Sequence, residues 1–158
     1  QRCFDSKTFG LVFGATGSAL LFGALLSTKL LEVLNMKQLS ISGSAIIIFG
    51  SIISFISSNI DMIGLDGIVI GFFISFFGLG LAEASLFSIA MSSQKTSLGS
   101  TAALLGSLQL LLPGTATLIA GYLVEGSIFY WLGFLFILSI LSFVFTMIVF
   151  KNSKILSV

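Results

Sequence analysis

The sequence contains no histidine, a single cysteine and few charged side chains. Without histidine, the chain cannot build a haem site, an imidazole zinc site or a histidine acid–base pair. The lone cysteine, Cys3, excludes an internal disulfide and a cysteine metal cluster. The formal net charge is only +1, and no basic stripe could follow a phosphate backbone. We therefore expect no metal, no cofactor and no nucleic-acid partner.

The scarcity of charge also excludes an ordinary soluble domain. Charged residues make up 8% of the chain, against roughly 25% in an average soluble domain. Hydrophobic residues make up 56%, and the mean hydropathy is +1.18. The charges cluster between uncharged runs at residues 8–28, 38–60, 96–124 and 126–150. A further run, 68–91, contains a single charge, Glu83. Each run is long enough to cross a hydrocarbon core as a helix, which takes roughly 20 residues.

These runs predict an all-α integral membrane protein built as a bundle of five transmembrane helices. The runs are continuous and do not alternate every second residue, which excludes the strands of a membrane barrel. The predicted helices cover residues 9–31, 39–60, 68–91, 101–124 and 128–150. Because the linkers are short, consecutive helices are expected to be antiparallel neighbours in a single domain over residues 1–158.

The distribution of charge predicts the orientation in the membrane. One set of helix ends carries lysines, and the opposite set carries only acidic residues in the loops between helices. Cytoplasmic loops of membrane proteins are enriched in lysine and arginine. We therefore expect the N-terminus of this segment outside and its C-terminus in the cytoplasm. The lysines are Lys29, Lys37, Lys95, Lys151 and Lys154, and the acidic residues are Asp61, Asp66 and Glu125.

Two features indicate that the chain is part of a longer transporter. It begins at Gln1 without an initiator methionine or a signal peptide, and it enters a membrane span within ten residues. Transporter folds are commonly built from paired repeats, so an odd number of helices is unusual. We expect a missing segment before residue 1.

Small residues recur at helical spacing on two of the predicted spans. Gly10 and Gly14 form a G-x-x-x-G pair on the first span, and Gly99, Gly106 and Gly114 recur on the fourth. In lipid, such residues allow the close backbone approach that drives helix association. They are expected to pack against another helix, or alternatively to form smooth faces on which helices rock during transport.

Glu83 is the most informative side chain of the sequence. Counted from residue 68, it lies about 22 Å along its predicted helix, within the membrane and toward the cytoplasmic side. A charge there costs a few kcal/mol or more, so such residues usually face a cavity or a partner. Its neighbours on the same helix cannot pair with a carboxylate. Glu83 is either a proton-exchanging or substrate-binding group, or a neutral carboxyl that is hydrogen bonded to a neighbouring helix.

The fourth span carries two further candidates. Gln109 lies about midway along it and is expected to line a substrate cavity or to bind a neighbouring helix. Pro113, the only proline of the chain, follows one turn later. It is expected to kink the helix, because its ring removes a backbone hydrogen bond.

The fourth span also carries a family resemblance. The run from Gly99 through Gly106 to Gln109, continuing to Gly114, resembles the eleventh helix of drug-efflux transporters in the major facilitator superfamily. Within that superfamily, the run is most similar to the branch of the Bcr/CflA-like proton-coupled multidrug antiporters. Gly78-Leu-Gly80-Leu is similar to the tenth helix of that branch, and Phe9-Gly10 to the start of the eighth. Residues 9–150 would then correspond to helices eight to twelve of a twelve-helix fold.

The resemblance implies proton-coupled export of small amphipathic molecules or drugs by alternating access. It implies the bacterial inner membrane as the location. The expected partners are the lipid bilayer, a small-molecule substrate, protons and the missing N-terminal half of the same protein. The sequence departs from the branch after Gly80, where the family tends to carry a Pro-Asn pair and this chain has Ala84-Ser85 after Glu83. The family's acidic proton sites usually lie in the N-terminal half.

Two other functions compete with transport. The chain could be a membrane accessory subunit that transports nothing, or the remnant of a truncated transporter. An embedded enzyme needs clustered catalytic groups, and one intramembrane acid without histidine does not supply them. The chain is not expected to be an enzyme.

Overall fold

The computed structural model describes residues 6–60, 64–92 and 98–152 of the chain. Each predicted span is a single α-helix whose ends lie within four residues of the prediction. The five helices are long and apolar enough to cross a membrane, which confirms an all-helical, multi-pass membrane protein. Cys3, Asp61, Lys95 and Lys154 lie outside the described residues. The helices are α1 (Ser6–Leu30), α2 (Met36–Ser57), α3 (Gly64–Ser92), α4 (Leu98–Gly126) and α5 (Ile128–Asn152).

Polar residues in the connections fix where two of the helices begin. At the start of α2 the Asn35 N–H donates to Oε1 of Gln38 at 3.3 Å, as in a capping box. At the start of α5 the Phe129 N–H donates to the Ser127 hydroxyl at 3.2 Å. Such bonds satisfy N–H groups that have no partner within the first helical turn.

Helix α3 is the centre of the bundle, because it packs along both α2 and α1. Helix α2 also packs on α5, α5 contacts α4, and α4 touches α3 at only a few points. The expectation that consecutive helices are neighbours is therefore wrong for the first pair. Although α1 and α2 are joined by the short segment 31–35, the main partner of α1 is α3.

Glycines bring the α2 and α3 backbones into contact. A Cβ atom added to Gly43 would lie 2.8 Å from the Gly78 carbonyl oxygen, and one added to Gly78 would lie 2.8 Å from the Gly43 carbonyl oxygen. Gly50 and Gly71 oppose each other in the same way one heptad away, where the Cβ of Gly50 would lie 2.6 Å from the Ser75 nitrogen. No other residue type fits at these positions without moving a helix.

Hydroxyl groups complete the contacts of α2. The Ser54 hydroxyl donates to the Ile68 carbonyl of α3 at 3.2 Å. Many of these hydroxyls also lie within hydrogen-bond distance of a carbonyl of their own helix, as the Ser40 hydroxyl lies 2.8 Å from the Met36 carbonyl, so each can donate to one or the other. In lipid, where burial of apolar surface does not drive helices together, hydrogen bonds between helices help to determine which helices pack against each other. The hydroxyl pairs between helices are Ser40–Ser85 at 2.8 Å, Ser51–Ser139 at 2.8 Å and Ser44–Thr146 at 3.5 Å.

Glycines also bring the α1 backbone into contact with the opposite side of α3. A Cβ atom on Gly80 would lie 2.9 Å from the Ala24 nitrogen, and one on Gly23 would lie 3.2 Å from the Gly80 Cα. Gly78 and Gly80 thus face different helices, because positions two apart point to roughly opposite sides of a helix. This arrangement explains why α1 packs on α3 and leaves α2 free to contact α5.

We predict that Gly78→Ala lowers the free energy of unfolding by about 1–3 kcal/mol, the usual cost of overpacking. The added methyl would have to push α2 away from α3. The measurement is a denaturant titration of the protein in detergent micelles.

Gly17→Ala is the matched control, because a Cβ there would meet nothing within 4 Å. It should leave stability unchanged or raise it by up to about 1 kcal/mol, since alanine favours helix over glycine. Equal effects of the two substitutions would contradict the assigned packing.

Candidate functional site

Glu83 lies on the one side of α3 that neither α1 nor α2 occupies. The Gly78 side of α3 contacts α2, and the Gly80 side contacts α1. At about 100° per residue, Glu83 lies roughly 140° around the helix from Gly78, on the side away from α2, and roughly 60° from Gly80, next to the α1 contact. Its side chain is half-buried. The carboxyl is therefore directed toward the remaining neighbour of α3, which is α4.

Gln109 lies at nearly the same depth on α4. Glu83 precedes the end of α3 at Ser92 by nine residues, and Gln109 follows the start of α4 at Leu98 by eleven. At 1.5 Å per residue these positions are about 13 Å and 16 Å from the same end of the bundle. Because α3 and α4 run in opposite directions, the two side chains can meet.

The structure brings these two predicted residues together. Nε2 of Gln109 donates a hydrogen bond to Oε1 of Glu83. The interaction joins two helices that otherwise contact each other at few points. It also supplies the polar partner that Glu83 lacks on its own helix.

The chemistry of this pair suits a carboxyl that gains and loses a proton. A carboxylate only accepts hydrogen bonds, whereas a protonated carboxyl also donates one. The glutamine amide does both, through its NH₂ and its carbonyl oxygen. After a rotation of the amide, Gln109 can therefore bind either form of Glu83. A partner of fixed polarity, such as lysine, would favour the charged form alone.

No other charged side chain occurs near this pair in sequence. Within residues 67–92 of α3 and 98–124 of α4, Glu83 is the only acidic or basic residue. In the part of the chain that the structure describes, no group of three metal-ligating side chains comes together. The site is a single carboxyl with an amide partner in an apolar span.

Pro113 frees a main-chain carbonyl beside the pair. Helix α4 continues through Pro113, and the kink expected there stays a prediction. Proline has no N–H, so the Gln109 carbonyl loses its usual partner four residues along. The nearby hydroxyls do not replace it, because Ser107, Thr115 and Thr117 donate to the carbonyls of Leu104, Leu112 and Pro113.

The glycines predicted to pack against another helix have no such neighbour among the described residues. A Cβ atom on any of them would meet nothing within 4 Å, and no residue of α4 from 98 to 122 is buried. Their packing stays a prediction that requires a partner outside the described residues. They are Gly10 and Gly14 on α1, and Gly99, Gly106 and Gly114 on α4.

Sequence reasoning missed the glycines that do hold the bundle together. Gly23, Gly43, Gly50 and Gly71 lie in tight helix contacts, as do Gly78 and Gly80. A usable signal was present on α2, where small residues recur every three or four positions. Ser40, Gly43, Gly50, Ser54 and Ser57 are all buried.

We predict measurable coupling between Glu83 and Gln109 in a double-mutant cycle on the free energy of unfolding. With Glu83→Ala and Gln109→Ala, we expect about 0.6 kcal/mol and at most about 1.7 kcal/mol, the range found for hydrogen bonds between membrane helices. The measurement is a denaturant titration in detergent.

The control cycle replaces Gln109→Ala by Ser107→Ala, because Ser107 bonds its own helix through the Leu104 carbonyl at 2.9 Å. That cycle should give no coupling. Zero coupling for the Gln109 cycle as well would show that the hydrogen bond contributes nothing in the membrane protein.

Comparison with known protein families found none that matches this chain, and a search of curated proteins found no match either. The resemblance to the major facilitator superfamily therefore remains a resemblance. The features of this chain that bear on its function are the pairing of Glu83 with Gln109 and the uncovered face of α4.

Proposed function

We propose that this chain belongs to a secondary active transporter that exports small amphipathic molecules in exchange for protons. The observation that carries the proposal is the hydrogen bond between the Glu83 carboxyl and the Gln109 amide. Ionisable residues within membrane spans are expensive and mark ion or substrate pathways by default. In this proposal Glu83 exchanges the proton and Gln109 lines the substrate cavity.

The uneven packing of the helices supports alternating access. Glycine contacts and the Ser40–Ser85 hydroxyl pair join α3 firmly to α2, whereas α3 and α4 share few contacts besides the Glu83–Gln109 bond. Protonation of Glu83 changes its hydrogen bond to Gln109, which joins α3 to α4. It could therefore bias the position of α4, as required when two helical units rock around a central site.

The uncovered face of α4 supports a larger assembly. From residue 98 to 122 the helix has no buried residue, and Leu110 is 79% exposed. Its glycines leave room for a closely packed helix. We propose that an N-terminal half of a twelve-helix, major-facilitator-type protein of the Bcr/CflA-like branch covers this face. The bacterial inner membrane, with the N-terminus of this segment outside and its C-terminus in the cytoplasm, is part of the proposal.

We predict that Glu83→Gln abolishes proton-coupled efflux while the protein still folds and inserts. Glutamine keeps the hydrogen bond to Gln109 but cannot release a proton. The measurement is substrate-driven proton movement in proteoliposomes that contain the full-length protein. Asp66→Asn is the control, because Asp66 is an exposed acid in the first turn of the same helix. Unchanged coupling in Glu83→Gln would remove Glu83 from the mechanism.

The same uncovered face of α4 also fits an accessory subunit that packs on a different protein. The intact mass of the native product, measured from native membranes, separates the two functions. The transporter proposal predicts more than twice the 16.7 kDa of this chain. A product near 16.7 kDa would favour the accessory subunit or a truncated remnant, because this segment alone lacks the second half needed for alternating access.

A further inference from the structure

The surroundings of Glu83 present several oxygen acceptors at one depth of the membrane. They are the two carboxylate oxygens of Glu83, the side-chain oxygen of Gln109 and the Gln109 main-chain carbonyl freed by Pro113. The carbonyl of a helical residue points toward the residue four positions later. The freed carbonyl therefore lies on the same side of α4 as the Gln109 and Pro113 side chains.

These acceptors outnumber the donors that the described residues supply. The Gln109 amide offers two N–H groups, of which one already binds Glu83. The hydroxyls of Ser107, Thr115 and Thr117 bond their own helix. A ligand that adds N–H donors and a positive charge would match the unfilled positions.

Two phenylalanines lie on the same side of α3 as Glu83, one turn after it and two turns before it. Phe87 follows Glu83 by four residues and Phe76 precedes it by seven, and such positions share one side of a helix. Their side chains are 42% and 37% exposed. Aromatic faces attract cations and pack against apolar bodies.

We infer that the substrate recognised at Glu83 is an amphipathic amine, bound as an ammonium that carries N–H groups. The ammonium donates to the Glu83 carboxylate and to the Gln109 main-chain carbonyl. Phe87, which follows Glu83 by one helical turn, contacts its apolar body. This inference rests on the proposed transport function and adds the chemical class of the substrate.

An inorganic divalent cation fits the site less well. Calcium requires six to eight oxygen ligands and magnesium a near-ideal octahedron, usually with more than one carboxylate. The site offers one carboxylate and neutral oxygens, because the only other acid of α3 is Asp66 at its far end and residues 98–124 of α4 contain none. An ammonium needs only a few directed acceptors and one negative charge.

The test is equilibrium binding to the purified full-length protein in detergent, measured by calorimetry near neutral pH. The probes are phenylbutylamine, its trimethylated quaternary derivative and phenylbutanol. They share the apolar body and differ in charge and in N–H groups. We expect the amine to bind about tenfold or more tightly than the alcohol, since hydrogen bonds to charged groups are the strong ones. It should also bind more tightly than the quaternary derivative, which cannot donate.

Three variants test which groups of the protein cause the tighter binding of the amine. Glu83→Gln should remove the advantage of the amine over the alcohol. Pro113→Ala restores an N–H that competes for the Gln109 carbonyl, so it should reduce the preference for the amine over the quaternary derivative. Asp66→Asn should change neither preference.

Equal binding of amine and alcohol by the unaltered protein would overturn the inference. A Glu83→Gln variant that still binds the amine more tightly than the alcohol would also overturn it. So would competition by sodium ions that displaces the amine from the unaltered protein but not from Glu83→Gln, because the site would then bind a metal cation. If Pro113→Ala prefers the amine over the quaternary derivative as strongly as the unaltered protein does, the Gln109 carbonyl is not a ligand and the inference in this form fails.

The binding test needs no gradient, so it separates the two proposals. Amine binding that depends on Glu83, without any transport, would refute the transporter and leave the inference. Proton-coupled transport of neutral substrates alone would refute the inference and leave the transporter.

Discussion

The close approach of α3 to α2 and α1 is the constraint on which the rest of the structure depends. Lipid tails are as apolar as leucine side chains, so burial of hydrophobic surface drives these helices together only weakly. Contact between backbones replaces that force, and the glycines at 43, 78, 23 and 80 permit it. Once α2 and α1 occupy two sides of α3, the side that carries Glu83 is left for α4 alone.

The position of the carboxyl site is thus set by residues that do no chemistry. Gly78 and Gly80 decide which helices flank α3, and Glu83, a few residues later, lies on the side they leave open. Gln109 then has to reach across a loosely packed boundary. A carboxyl at a tight glycine contact would have no room for a ligand, whereas at this boundary both a partner and a ligand can approach.

Much of the fold was predictable from the sequence, because the length of an apolar run is fixed by the thickness of the membrane. All five helices follow from that rule, with small errors at their ends. Glu83 and Gln109 were identified separately as polar residues in apolar spans. Their pairing does not follow from either helix alone, because the neighbours of Glu83 on α3 cannot pair with a carboxylate and the sequence does not say which helix faces it. Equal depth on antiparallel helices would have suggested it.

The order of the helices was the part that the sequence could not determine. The glycines of α4 recur at helical spacing much as those of α2 and α3 do, but only the latter meet another backbone within the described chain. The spacing of small residues shows that a helix has a surface for close approach. The spacing does not say which helix packs on that surface. The short linker between α1 and α2 predicted that these two helices are neighbours, whereas α1 packs on α3.

The hydroxyls of the bundle have a consequence for how the protein enters the membrane. Ser40, Ser51 and Ser85 each lie within hydrogen-bond distance of a carbonyl of their own helix and of a hydroxyl on another helix. Before the helices meet, each hydroxyl can donate its single hydrogen to its own carbonyl. A helix that has just been released into lipid, before its neighbours arrive, therefore exposes few unsatisfied polar groups there. The helices can be inserted one after another during synthesis, and the contacts between them form later by sideways diffusion.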